Sequence, residues 1–327
     1  MKQETDLVEM LLRKAGRRVD PPDAAYQDVL AAASAAFHRK ASQRRQRRWL
    51  AAAAAASIAV AIGLALQWQA PAGRRHVATI ERVVGGVELA HGDAWKPLDE
   101  REGSLGTGRR LRTRADGRVA LALPGVGSLR LAGDTEVLLD GERRMFVQHG
   151  TVYVDSGSPP DGGRVEIVTP AGTARDVGTQ FELQVAGARL RLRVREGSVA
   201  IDRGGRSLMG AAGEQLVIDD MGGVARGSIA PASDAWAWAE ALAPLPDIDG
   251  RPAAQLISWV ARETGRKLRY ETPAVEARAG SVILHGDIRH LPPLAALEAM
   301  LATTDLEYVL DGDTIEIRAR GELVQEP

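Results

Sequence analysis

WLAAAAAASIAVAIGLALQW, residues 49–68, is an uncharged apolar run preceded by the basic string RKASQRRQRR, and it divides the chain in two. From Leu50 to Leu66 no residue is charged. That length reaches the lower end of what a membrane-spanning helix needs, and Trp49 and Trp68 stand where interfacial aromatics anchor such helices. Two alternatives stay open. A soluble buried helix is one, because Ala partitions weakly, although such helices seldom lack a polar face over this length. A cleaved signal peptide is the other, since Ala70-Pro71-Ala72 has a small-residue pattern. Nearly fifty residues precede the run, however, and its apolar stretch exceeds a signal h-region, so an uncleaved anchor fits better. Arg39, Lys40, Arg44, Arg45, Arg47 and Arg48 lie just before the span, against Arg74, Arg75 and Arg82 after it. The charge bias predicts a cytoplasmic amino terminus and a bulk lying beyond the membrane.

Upstream of the run, residues 1–48 hold eleven Lys or Arg against six Asp or Glu, although the whole chain of 327 residues carries a net charge of only -1. The local excess is accounted for by topology, so no direct nucleic-acid contact is expected. Two short helices are predicted here. Thr5 is a plausible cap before Val8, Leu11 and Leu12, with Gly16 as a stop; after Pro21-Pro22, the residues Tyr26, Val29, Leu30, Ala33 and Phe37 recur at helical spacing. Such helices bury little alone. Their apolar stripe, Tyr26, Val29, Leu30, Ala33 and Phe37, is therefore the candidate partner-binding surface, with a plain unstructured tail as the alternative.

Downstream, residues 77–229 consist of short alternating runs such as RVALALPG, GSLRLAGD, TEVLLDGE, FELQVAG and RLRLRVREG, with turn signals every 8 to 12 residues. That spacing leaves no room for crossover helices and predicts an antiparallel β sandwich or roll. In Leu190-Arg191-Leu192-Arg193-Val194-Arg195 the faces separate into apolar and basic, which reads as a core face and a solvated face. Residues 230–246 form a linker whose Trp236 and Trp238 are expected to pack one domain on the next. Residues 247–320 read as strand, helix, strand, strand, helix, strand, strand, a small α+β domain. Its first helix carries Ala253, Leu256, Ile257, Val260 and Ala261 and stops at Gly265; its second starts at Pro292-Pro293. Leu306–Leu310, Asp311-Gly312 and Thr314–Arg318 make a hairpin signal. The expected fold class is thus mainly β: a single-pass membrane protein with a short helical cytoplasmic segment, a β sandwich or roll and a small α+β domain.

The stretch TPAGTARDVGTQFEL (169–183), followed by VREGSV (194–199) and AGEQL (212–216), resembles the signature of FecR-like proteins. These are inner-membrane regulators of extracytoplasmic-function sigma factors. IDGRP (248–252), WVARETG (259–265), LHG (284–286) and ATTDLEY (302–308) resemble the secretin and TonB short N-terminal domain. The resemblance implies an inner-membrane relay: an envelope signal from an outer-membrane TonB-dependent receptor, of the kind used in iron or nutrient uptake, reaches a cytoplasmic sigma factor. One departure stands out, because many sigma-binding members have a longer cytoplasmic domain with a tryptophan motif, whereas none of residues 1–48 is Trp. The alternative is an anchored periplasmic scaffold with no sigma-factor partner.

Enzymatic chemistry has little support. The six histidines are scattered, cysteine is absent, and no HExxH, GxSxG or Walker pattern occurs, so no metal or cofactor is expected. Asp247-Ile248-Asp249 and Asp311-Gly312-Asp313 read as turns. The exception is Gly178-Thr179. The resemblance implies that this bond can cut itself, the Thr hydroxyl attacking the preceding carbonyl. The plainer reading makes Gly178 a bulge and Thr179 a strand start, and Gly150-Thr151 is an equally bare match.

Overall fold

The computed structural model describes Met10 and residues 75–99, 101–157, 164–176, 178–289 and 291–321. The chain divides into two units, Met1–Ala72 and Gly73–Pro327. The apolar run 49–68 and the stripe Tyr26, Val29, Leu30, Ala33 and Phe37 lie outside the described residues. Among those residues no helix is long and apolar enough to cross a membrane.

Among the described residues the second unit begins with seventeen strands. They are β1 (His76–Val84), β2 (Val87–His91), β3 (Ala94–Pro97), β4 (Ser104–Gly106), β5 (Arg109–Thr113), β6 (Arg118–Leu123), β7 (Gly127–Leu131), β8 (Glu136–Leu139) and β9 (Arg144–Asp155). There follow β10 (Glu166–Thr169), β11 (Gly172–Asp176), β12 (Gln180–Ala186), β13 (Arg189–Glu196), β14 (Ser198–Arg203), β15 (Arg206–Ala211), β16 (Glu214–Ile218) and β17 (Val224–Ser228). One sheet runs β4-β1-β6-β7-β9-β12-β13-β16-β17. The other runs β3-β2-β5-β8-β9-β10-β11-β14-β15. The long strand β9 belongs to both, its first half in the second sheet and its last six residues in the first. Alternation places Leu129 and Leu131, Val152 and Val154, Phe181, Leu183 and Val185, and Leu190, Leu192 and Val194 in one continuous apolar core. The expected sandwich is present with one amendment: β9 and β10 run parallel, because a connection of ten residues separates them and they are not a hairpin.

Residues 234–240 form a single-turn 3₁₀ helix running into a short helix α1 (Ala237–Glu240). The C-terminal module then builds its own core from helix α2 (Ala253–Thr264), helix α3 (Pro273–Ser281) and helix α4 (Pro293–Leu301), packed with Leu306, Ile315 and Ile317. Its strands are β18 (Arg251–Pro252) paired with β20 (Ile283–Leu284), and the sheet β19 (Lys267–Tyr270), β22 (Thr314–Ala319), β21 (Leu306–Asp311). The two helices and the hairpin agree with the sequence reading. The helix α3 is an addition to it: the two strands read between the helices are β19 and β20, and α3 lies between them, so that β20 pairs with β18 and β19 with β22. The signals for α3 are local: the Thr272 side chain caps Val275 N–H, and Pro273 occupies the first turn.

Candidate functional site

The outer face of the first sheet is where the two parts of the unit meet, and it departs most from the sequence reading. Ladder pairing sets two polar rows across it. Arg130, Tyr153, Glu182 and Arg193 lie side by side, and one step along the strands come Ser128, Asp155, Gln180 and Glu196. A face with this composition is expected in water. Instead Arg130, Tyr153, Glu182, Gln180 and Arg195 are all buried. The basic face of β13 is accordingly not a solvated one: Arg191 and Arg193 converge on the buried Glu182, and Arg195 is covered.

What covers it is the linker and the end of α2. Trp236 is fully buried, edge-on to Tyr153 with ring centroids 6.0 Å apart, and donates its indole N–H to Ala230 O. Trp238 donates to Glu182 Oε2 at 2.8 Å. These tryptophans tie the linker to the sandwich, as aromatic residues with one polar atom do when buried. The final turn of α2 then meets two arginines. Arg130 Nη2 pairs with Glu263 Oε2 at 2.8 Å while its Nη1 donates to Ala239 O at 2.8 Å. Arg195 donates to Glu263 O at 2.8 Å and to Pro231 O at 2.6 Å, and it also pairs with Glu240. Cations at a helix C-terminus satisfy its orphan carbonyls and its negative dipole end. Gly265 makes the approach possible. It caps α2 with φ +61°, and a Cβ there would lie 2.3 Å from both Arg195 Nε and Pro231 O.

Burial raises the Glu263 carboxyl above its ordinary range, with Arg130 opposing the shift. It likewise pushes Tyr153 up to about 12. A cleft of about 290 Å³ remains beside the contact, lined among others by Glu81, Ser128, Asp155, Arg262 and Glu263. Glu81, exposed on β1 at the rim of this cleft, is also raised by desolvation, against the pull of Arg130.

Adjoining this contact lies the Gly178-Thr179 peptide, the sequence-derived catalytic candidate. Gly178 has φ +63°, a left-handed conformation natural to glycine, and Thr179 immediately precedes β12 with only 1% of its surface exposed. Its hydroxyl donates to Asp176 Oδ2 at 2.9 Å; Asp176 is itself fully buried and takes Val165 N–H on its other oxygen at 2.5 Å. Thr179 N–H donates to Ser156 Oγ at 2.7 Å, and Thr179 O accepts from Ser156 N at 3.0 Å and from Ser156 Oγ at 3.1 Å. From the other side the backbone of Gly197 closes in, where a Cβ would sit 2.6 Å from Thr179 Cγ2 and 2.7 Å from Gly178 O. The second match differs in kind: Thr151 sits inside β9, ladder-paired with Gln184. A hydroxyl on a buried carboxylate is a nucleophile beside a base, and the arrangement can hold and transfer a proton. Asp176 and Ser156 escaped the sequence reading. Asp176 stands only three residues before Thr179, but Ser156 is twenty-three residues away and is brought in by the β9–β12 ladder.

Comparison with known proteins places a recognised segment inside this sandwich. Residues 109–200, from β5 into β14, match the family model described as FecR protein. The segment includes Asp176, Gly178, Thr179, Arg130, Ser156 and Arg195, but neither the linker nor the C-terminal module. Two crystal structures of a "putative anti-sigma factor" from Parabacteroides distasonis are also similar, at 15% and 14% identity. They cover 64% and 65% of this chain and 97% and 99% of their own, each with a TM-score of 0.35. No curated protein matches the chain.

Proposed function

We propose that the chain is a transmembrane signalling regulator of a sigma factor. The observation that carries the reading is the FecR match across residues 109–200, which occupies the sandwich and contains the Thr179 site. On this reading residues 1–48 are cytoplasmic and bind an extracytoplasmic-function sigma factor, residues 49–68 cross the inner membrane, and the sandwich and C-terminal module face the periplasm. The module, by its resemblance to the secretin and TonB short N-terminal domain, receives the signal from an outer-membrane TonB-dependent receptor. A helix carrying Tyr26, Val29, Leu30, Ala33 and Phe37 gains most by burying that stripe in a partner's groove. The test is co-purification of the cognate sigma factor with the full chain. Leu30→Asp and Phe37→Asp, which place a charge in a desolvated contact, should abolish it. Wild-type binding that survives both substitutions, or that is absent altogether, favours an anchored periplasmic scaffold instead.

A second reading concerns the same protein's activation, and the Thr179 to Asp176 hydrogen bond favours it: the Gly178-Thr179 bond cleaves itself. Asp176 takes the hydroxyl proton as Thr179 Oγ attacks the Gly178 carbonyl carbon. The proton then passes to the Thr179 nitrogen as the C–N bond breaks, leaving an ester and a free amine; water hydrolyses the ester. Thr179→Ala should leave the full chain intact, whereas Thr179→Ser should retain part of the scission, with fragments counted by mass. A wild-type chain that stays whole removes this reading and leaves cleavage to other enzymes.

A further inference from the structure

Beside Glu263, a second side chain of the C-terminal module leaves it for the sandwich. Arg262 is on the last turn of α2. Its guanidinium reaches out of the module to two strand ends of the sandwich, pairing with Asp155 at the end of β9 and with Glu196 Oε2, 3.5 Å away, at the end of β13. Both carboxylates flank the same residue. Gln180, the first of β12, is the ladder partner of Asp155 on one side and of Glu196 on the other. Arg262 therefore passes over the start of β12 from one neighbouring strand to the other. Gln180 is held in the same knot: its Nε2 donates to Asp155 Oδ2 at 2.9 Å and lies 3.4 Å from Arg262 O.

The residues next to these carboxylates are the walls around Thr179. Ser156, following Asp155, makes three hydrogen bonds to the Thr179 backbone; Gly197, following Glu196, is in close contact with Thr179 Cγ2 and Gly178 O. So one guanidinium from the module ties together the two backbone segments between which the Gly178-Thr179 peptide is held. We propose that Arg262 is a strap through which docking of the C-terminal module sets how firmly that peptide is positioned. Displacing α2 opens the strap, and the first residues of β12 loosen without unfolding the sandwich core, since Phe181, Leu183 and Val185 remain packed inside it. A signal that moves the module thereby reaches a bond on another domain through a contiguous set of contacts.

The consequence for scission rests on the acyl-shift reading, and its direction follows from positioning: a nucleophile held less firmly reacts more slowly. The strap itself does not depend on that chemistry. Hydrogen exchange of the full chain, followed on peptides spanning 176–182, tests it directly. Arg262→Met keeps the apolar stem and removes both ion pairs; exchange of these amides should rise at least about tenfold. Arg269→Met, which breaks the module's own pair with Glu316, should leave them unchanged. Should Arg262→Met fail to fold, Glu196→Gln decides, since it releases only the outer arm at a half-exposed site and should give a smaller rise in the same peptides. Unchanged protection in folded Arg262→Met, or in Glu196→Gln where that variant decides, overturns the strap. Scission scored in the same samples separates the two ideas: a wild type that never fragments removes self-cleavage and leaves the strap to stand or fall on exchange alone.

Discussion

Removing Glu263 is the sharpest perturbation of the contact between sandwich and module. Its partner Arg130 is wholly buried, and Glu263 is nearly so, with side-chain exposures of 0% and 5%. In Glu263→Ala the guanidinium keeps Ala239 O and Ser128 Oγ, while its Nε already has no partner among the described residues. A buried guanidinium is then left without its ion-pair partner, a change that costs about 3–5 kcal/mol. Breaking the exposed Arg278 to Asp305 pair should by contrast cost about 0–1 kcal/mol. The double variant Arg130→Met with Glu263→Leu removes both charges and refills the space, so its cost should fall at least about 2 kcal/mol below the sum of the single losses. Urea titration followed by tryptophan fluorescence reads the contact, because Trp236 and Trp238 lie in it and Trp259 donates to Pro244 O beside it. A Glu263→Ala variant within about 0.5 kcal/mol of wild type, or strictly additive losses, would refute the claim that this pair is desolvated.

Three further outcomes are expected. The Tyr153 hydroxyl is buried without a hydrogen-bond partner among the described residues, so Tyr153→Phe should raise stability by about 1 kcal/mol in the same titration; a loss of that size would show a bound partner for the oxygen. Because burial raises the Glu263 carboxyl, the folded state binds its proton at pH values where the unfolded chain has released it, and its contribution falls as pH rises from the ordinary Glu range through the elevated one. Thermal melts over that window should show wild type losing stability relative to Glu263→Gln with increasing pH; parallel curves would place the carboxyl at its ordinary value. Reporter fusions after residue 48 and after residue 230 should read cytoplasm and periplasm respectively, and the reverse pattern, or a freely soluble chain, would end the transmembrane scheme.

What could be read from sequence follows from how local each signal is. The alternation in Leu190-Arg191-Leu192-Arg193-Val194 announces a strand and its inner face, because side chains on a pleated backbone alternate with period two whatever lies around them. Gly265 likewise announces the end of α2, since a left-handed cap is a property of one residue and its neighbours. Helix α3 was missed although Thr272 and Pro273 mark its start, because its apolar stripe is thin: Val275 and Ala279 are its buried residues. Gly178 and Thr179 came forward through the resemblance to FecR-like proteins, since as an adjacent pair they are no more distinctive than Gly150-Thr151. The sequence could not supply Ser156, Gly197 or Arg262, whose nearness to Gly178 and Thr179 arises from strand register and domain docking across tens of residues. The same limit explains Arg195. Within β13 it is one more outward arginine, and sequence by itself determines only that it points away from the sandwich core; whether water or another part of the chain meets it is decided in the tertiary structure, where the carbonyls of α2 and the linker take the place of solvent.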